Sequence, residues 1–123
     1  MTHNRIRWAE IYVQDIQRAK TFYEEVLKLQ LEKLDTPDFE MWAFPMNPDK
    51  PGTGGALVQM KGVPSGGNST IVYFGCEDCA VEASRVMKAG GRMHRDKFSI
   101  GQYGAIALAY DTEGNMFGLH SLK

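Results

Sequence analysis

Three side chains of one predicted strand are of types that could do chemistry together. Residues 6–13 alternate, which places Trp8, Glu10 and Tyr12 on one face and small aliphatic side chains on the other. A carboxylate in the middle of a strand is costly to bury alone, so Glu10 needs a partner or an open cavity. It could serve as a general base or hold a cationic ligand. The alternative is an exposed or salt-bridged residue at a sheet edge.

The second titratable candidate is His120, on the last predicted strand. Its imidazole could supply acid–base chemistry or one metal ligand, and the alternative is a hydrogen-bonded surface histidine. Glu10 and His120 together could serve a metal-independent lyase or isomerase if their side chains meet at one point of a pocket.

Cys76 and Cys79 form a CxxC sequence. A redox pair is one interpretation, because a cysteine in the first turn of a helix has a lowered thiol pKa. A zinc site would need two further ligands, and the sequence has no second cysteine pair. We favour the remaining interpretation, in which both cysteines are small apolar side chains.

The predicted strands and helices that must position these groups form a pattern that occurs twice along the chain. Residues 6–26 and 69–87 each contain an alternating strand, an N-capping aspartate (Asp15 or Asp78) and an amphipathic helix. Each half closes with a Gly-led strand, at 51–60 and 113–122. Further strands are predicted at 29–34, 40–46, 92–98 and 103–110, and the second helix is predicted to end at Gly90-Gly91. This order predicts one α+β domain (1–123) of two tandem βαβββ units, at about 5–61 and 68–123.

Composition excludes several classes of function. The chain has 123 residues, 43% of them hydrophobic, and a formal net charge of -1. A basic stripe for nucleic acid is absent from the sequence, and so is an apolar stretch long enough for a membrane span or a signal peptide. We therefore expect a soluble, cytoplasmic protein that binds neither nucleic acid nor membrane.

Several short motifs follow one another in a fixed order. They are the strand end Val13–Asp15, the helix with Ala19 and Phe22-Tyr23, Gly54-Gly55 before a strand, Ala89-Gly90-Gly91, Gly104, and the Asp-Thr-Glu-Gly-Asn turn at 111–115. In this order they resemble the vicinal oxygen chelate superfamily, which includes glyoxalase I, bleomycin-resistance proteins and extradiol dioxygenases. The resemblance implies an open, curved mixed β-sheet barrel around a ligand cavity, with the helices outside, and a homodimer.

The resemblance also implies where a divalent metal would be held. Enzymes of that superfamily generally place one ligand on the opening strand and one on the closing strand of each half. The corresponding residues here are Trp8 and Ile71 on the opening strands, and Ala56 and Gly118 on the closing strands. None of these side chains can bind a metal, and a one-residue shift does not supply a ligand either. We therefore expect no metal and no cofactor.

The face that carries these four positions suggests a ligand pocket in place of a metal centre. Besides Glu10 and His120, its predicted lining is Trp8, Tyr12, Ala56, Val58, Ile71, Tyr73 and Gly118. The leading hypothesis is a glyoxalase-like protein that binds a small, partly aromatic or cationic molecule in the cavity between the units. The alternatives are the Glu10–His120 lyase or isomerase, a regulatory module with a filled cavity, and a metal-dependent lyase or dioxygenase if the ligand register is misread.

Overall fold

The computed structural model describes residues 2–123, and its strands and helices follow the predicted order. The first unit consists of β1 (Trp8–Tyr12), α1 (Ile16–Leu27), β2 (Glu32–Leu34), β3 (Glu40–Ala43) and β4 (Gly54–Gln59). The second consists of β5 (Val72–Gly75), α2 (Cys79–Val86), β6 (Arg92–Ser99), β7 (Ala105–Tyr110) and β8 (Met116–Ser121). The α+β fold with a repeated βαβββ order is therefore confirmed.

Both helices begin at the predicted aspartates. The Asp15 carboxylate accepts a hydrogen bond from the Arg18 amide at 3.1 Å, and the Asp78 carboxylate accepts one from the Ala80 amide at 3.0 Å. Each bond satisfies one of the amides that lack a partner in a first helical turn. The apolar stripe of α1 is buried along its length: Ile16, Ala19, Phe22, Tyr23 and Val26.

Each unit forms its own four-stranded sheet. The strand order is β1-β4-β3-β2 in the first sheet and β5-β8-β7-β6 in the second. The opening strand runs parallel to the closing strand in each, with Glu10 opposite Ala56 and Tyr73 opposite Gly118. β1 and β5 are edge strands, and the two sheets are not closed by pairing between them. We call the space between these two edges the seam.

The two faces of each sheet differ in what covers them. The helix-facing sides of both sheets pack with α1 and α2 into one core, to which both units contribute. The rings of Phe22 and Tyr23 on α1 contact Phe117 of the second sheet, with centroid distances of 5.8 and 5.5 Å. We call the opposite side of each sheet its open face. Trp42 of β3 is partly buried and packs against the helix-side core.

The turn at residues 111–115 fastens the second unit to the first. The Glu113 side chain is fully buried and accepts hydrogen bonds from the amides of Gln14 and Asp15, both at 2.9 Å. It also accepts one from Arg18 Nε at 2.7 Å and one from the Thr112 hydroxyl at 2.8 Å. Burial opposes ionisation, but these donors outweigh it and lower the pKa of Glu113 to about 2.

The same turn holds a second buried carboxylate. Asp111 accepts hydrogen bonds from the Tyr23 hydroxyl at 2.6 Å and from the amides of Glu113 and Asn115 at 2.7 and 2.9 Å. Burial is the largest cause and raises the pKa of Asp111. Burial and the nearby Asp111 charge also raise the pKa of Tyr23. The two carboxylates of one turn therefore have pKa values shifted in opposite directions.

Several element boundaries differ from the sequence prediction. α2 ends at Val86, where Gly91 N–H donates to the Val86 carbonyl at 2.9 Å and Gly90 takes a φ of 109° that favours glycine. β7 begins at Ala105, because the preceding Gly101–Tyr103 segment forms a 3-10 turn. Within residues 2–123, no helix has the length and apolarity needed to cross a membrane.

Candidate functional site

A carboxylate held by two aromatic side chains lies on the open face of the first sheet. Glu10 accepts a hydrogen bond from Trp8 Nε1–H at 3.0 Å through one oxygen, and from the Tyr12 hydroxyl at 2.8 Å through the other. The bond to Glu10, followed by burial, raises the pKa of Tyr12 above its ordinary value. The period-two geometry of β1 thus orients one carboxylate with both of its neighbours on that face.

Among residues 2–123, the carboxylate of Glu10 has no cationic partner. Ion pairs within residues 2–123 involve other carboxylates, and none includes Glu10. The Trp8 side chain beside it is 38% exposed, and its ring rests on Gly54, where an added Cβ would lie 3.2 Å from two ring carbons. The site therefore combines an uncompensated carboxylate with an accessible indole surface.

This triplet lines a cavity of about 500 Å³ at the seam. The cavity follows the free edge of β1 from Ile6 to Tyr12 and reaches the rings of Tyr23 and Phe117. Its far side consists of linker and second-sheet residues: Pro64, Ser65, Gly66, Asn68, Thr70, Val72, Asn115 and Met116. A lining of apolar side chains with a few polar groups, at this volume, is typical of small-molecule sites.

A second cavity of about 340 Å³ occupies the other end of the seam. It shares Ala9, Ile11 and Val72 with the first cavity, and Phe44 and Tyr73 are among its further lining residues. The shared residues belong to the facing edges of β1 and β5. The seam is therefore lined by cavities at both ends.

The other predicted lining residues do not line the Glu10 cavity. Ala56 and Val58 lie opposite Glu10 and Tyr12 on β4, but both are fully buried in a small cluster against which Tyr12 packs. Ile71 directly precedes β5. The Tyr73 ring covers Gly118, so that a Cβ at position 118 would overlap it. The structure thus brings Trp8, Glu10 and Tyr12 together at the cavity, and none of these five residues lines it.

His120 belongs to the second sheet, where it lies opposite Gly75 and Ile106. Its Nε2 is 2.7 Å from the carbonyl oxygen of Tyr103, a hydrogen-bond distance. The residues that line the Glu10 cavity, all within 2–123, do not include His120.

The four positions implied for a metal do not fit one. Trp Nε1 only donates, and the side chains of Ile71, Ala56 and Gly118 carry no lone pair. Tyr73 fills the space in which a longer side chain at position 118 would lie. Over residues 2–123, no three His, Cys, Asp or Glu side chains are grouped so that they could hold a metal ion.

The two cysteines lie close to the start of α2. Cys79 is fully buried, and its amide donates to the Ser121 hydroxyl at 3.0 Å. Burial, with the nearby Glu82 carboxylate, raises the pKa of Cys76 to about 12. A thiol with such a pKa is a poor nucleophile at neutral pH, which supports the interpretation of small apolar side chains.

Sequence reasoning missed the far wall of the cavity. Asn68, Thr70 and Asn115 lie in segments that read as turns, and Phe117 alternates toward the helix side of its strand. The only available signal was Asn115 at the end of the turn at 111–115, whose Nδ2 donates to the Tyr12 carbonyl at 3.0 Å. That contact joins the two units and depends on how they pack, so it cannot be inferred from the spacing of residues in the sequence.

Solved structures share this fold. A mutant glyoxalase I from Zea mays has a TM-score of 0.76 and 24% identity, and the match covers 97% of this chain and 45% of that one. Glyoxalase I from Leishmania major has a TM-score of 0.72 at 21% identity, covering 98% and 88%. A glyoxalase-related enzyme from Fulvimarina pelagi has a TM-score of 0.68 at 16% identity, covering 97% and 88%. The chain therefore spans less than half of the maize protein.

The family is shown by sequence. No curated protein matches the chain significantly. The family model of the Glyoxalase/Bleomycin resistance protein/Dioxygenase superfamily, however, matches residues 5–119, which is nearly the whole sequence. With two βαβββ units in an open, curved arrangement, this chain belongs to the glyoxalase/bleomycin resistance protein/dioxygenase superfamily.

Proposed function

We propose that this protein binds a small molecule that joins a planar apolar group to a positive charge, in the cavity beside Glu10. The observation that carries the proposal is the Glu10 carboxylate itself. It is oriented by Trp8 and Tyr12, has no cationic partner within residues 2–123, and belongs to a residue that lines a cavity of about 500 Å³.

Two contacts would favour such a ligand. A cation beside the carboxylate gains a charge-assisted interaction, since both oxygens have lone pairs beyond those used by Trp8 and Tyr12. The exposed indole adds a cation–π contact worth about 0.5–1 kcal/mol at an exposed site. The planar group would enter the seam toward Ile11 and Phe117, whose side chains are apolar.

Calorimetric titration with two probes tests the proposal. Benzyltrimethylammonium is an aromatic cation, and benzoate is an aromatic anion of similar width. We expect the cation to bind and the anion not to bind over the same concentration range. Glu10→Gln keeps the shape of the side chain and removes its charge, and it should weaken the cation by about 1–2 kcal/mol, or fivefold to thirtyfold.

Glu32→Gln is the matched control. Glu32 is an exposed carboxylate of the same sheet, on β2, and it does not line the Glu10 cavity. Its loss changes the net charge by the same amount and should leave the affinity within twofold. Equal affinity for both probes, or equal effects of the two substitutions, would show that Glu10 does not hold a cation.

No observation favours acid–base catalysis by Glu10 and His120. The imidazole on the second sheet is hydrogen-bonded to the Tyr103 carbonyl, and Glu10 lines a cavity that His120 does not line. A general acid and base must both reach the same substrate atoms or a water between them. Binding is therefore the function that the geometry supports best.

A further inference from the structure

Every second residue of β1 turns its main-chain groups away from its partner strand. The Val13 amide donates to the Val58 carbonyl of β4 at 2.9 Å, which sets the parallel pattern: the odd-numbered residues of β1 bond to β4. The N–H and C=O groups of Trp8, Glu10 and Tyr12 therefore point the other way, toward the seam.

Most of these seam-facing groups have no protein partner. The Tyr12 carbonyl accepts a bond from Asn115 Nδ2 at 3.0 Å. The main-chain N–H and C=O of Trp8 and Glu10 that face the seam have no donor or acceptor within residues 2–123. The cavity of about 500 Å³ lies along this edge. An unpaired edge beside a cavity is a template for an added strand.

The two sides of the β1 edge would favour different types of side chain on such a strand. A residue paired with Glu10 would place its side chain on the open face, with its Cβ about 5 Å from the Cβ of Glu10, where a basic side chain is favoured. Its two neighbours would point to the other side, toward Ile11, Val72 and Phe117, where apolar side chains are favoured. Charge and apolar surface therefore specify one alternating pattern.

We propose that the free edge of β1 binds an extended peptide as an added strand, with a Lys or Arg opposite Glu10 and apolar residues on either side of it. The proposal rests on the proposed function in one respect, since the Glu10 carboxylate is again the group that binds the cation, here the basic side chain of the peptide. It adds recognition of the ligand main chain by the N–H and C=O of Glu10 and Trp8.

Acetyl-Phe-Lys-Phe-amide is the probe, and the same peptide with methylated backbone nitrogens is its matched control. Both carry the same side chains and charge, but the control cannot donate main-chain hydrogen bonds. We expect calorimetry to show at least tenfold weaker binding of the methylated peptide. We also expect Glu10→Gln to weaken the unmethylated peptide at least fivefold.

Amide hydrogen exchange provides an internal comparison. The Glu10 amide faces the seam and should exchange at least tenfold more slowly once the peptide is bound. The Ile11 amide already faces β4 and should not change.

Three results would overturn the proposal, and they separate it from the proposed function. Equal affinity of the methylated peptide, with Glu10→Gln still weakening both, would exclude strand addition and leave the cation site intact. No effect of Glu10→Gln on either peptide would remove both proposals. If the Glu10 amide of the peptide-free protein exchanged as slowly as that of Ile11, the edge would already be occupied, for example by a second copy of the chain.

Discussion

Replacing Glu113 by Gln should weaken the whole fold, although this residue lies in a turn of the second unit. Its buried carboxylate accepts hydrogen bonds from two amides at the start of α1 and from the Arg18 guanidinium. Gln keeps the size of the side chain and one acceptor oxygen, but it loses the charge and presents an NH₂ group to one of those donors. The substitution therefore removes the charge-assisted part of the contact between the units.

The magnitude follows from the pKa of Glu113. The pKa falls from an ordinary 4.5 to about 2. At 1.36 kcal/mol per unit, this difference corresponds to at most about 3.4 kcal/mol of native-state stabilisation of the charged form. The Arg18 side chain is 53% exposed, so water screens part of the attraction. We expect a loss of about 2 kcal/mol near pH 7.

The pH dependence has a definite sign. A carboxyl group whose folded pKa is lowered contributes stability above its unfolded pKa, and this stability is lost as the pH falls. For Glu113 the loss should occur between about pH 4.5 and 2. Asp111 has a raised pKa and acts in the opposite direction. Because the Glu113→Gln variant retains Asp111, the difference between the two proteins isolates Glu113.

Urea unfolding from pH 7 to pH 3 measures this difference without adding salt. The free energy of unfolding of the natural sequence should approach that of Glu113→Gln as the pH falls. Glu25→Gln, which breaks an exposed ion pair with Lys28, is the matched control and should leave stability unchanged within error. Parallel curves for the natural protein and the Glu113 variant, or equal stability at pH 7, would refute the reasoning.

Three further predictions concern packing, backbone conformation and thiol chemistry. Gly118→Ala should lower the free energy of unfolding in urea by about 1–2 kcal/mol, because the added methyl meets the Tyr73 ring. In a Tyr73→Ala background this loss should disappear, and an equal loss in both backgrounds would contradict the contact. Gly104→Ala should cost about 1–3 kcal/mol, because its φ is 105°, and an unchanged thermal midpoint would argue against strain there. Native protein at pH 8 should not react with iodoacetamide within minutes, because Cys79 is buried and the pKa of Cys76 is raised to about 12. Mass spectrometry would locate any alkylated cysteine, and rapid alkylation would contradict this prediction.

The sequence predicted the fold well because its local signals agree with one another. The capping aspartates Asp15 and Asp78, the apolar stripe of α1 and the alternation of β1 are all local patterns, and each is found in the structure. Boundaries were less accurate where a local turn competes with a strand. β7 begins two residues after the predicted start of the strand, because Gly101–Tyr103 forms a 3-10 turn.

The site was less predictable, because side chains meet through contacts between elements. Alternation placed Trp8, Glu10 and Tyr12 on one face, but it could not show that both aromatic groups donate to the carboxylate. It also could not show that Ala56 is fully buried or that Tyr73 covers Gly118. Which strand edge meets which linker depends on how the two sheets pack, and no spacing in the sequence records that.

The turn at residues 111–115 also bears on how the chain is made. A ribosome releases the start of α1 long before it synthesises Glu113, which lies 95 positions after its partner Arg18. Until then, the amides of Gln14 and Asp15 lack their native acceptor, and Tyr23 lacks Asp111. The first unit is therefore completed by a segment that is synthesised much later than α1, and we expect nascent chains that stop before residue 111 to lack a stable native structure.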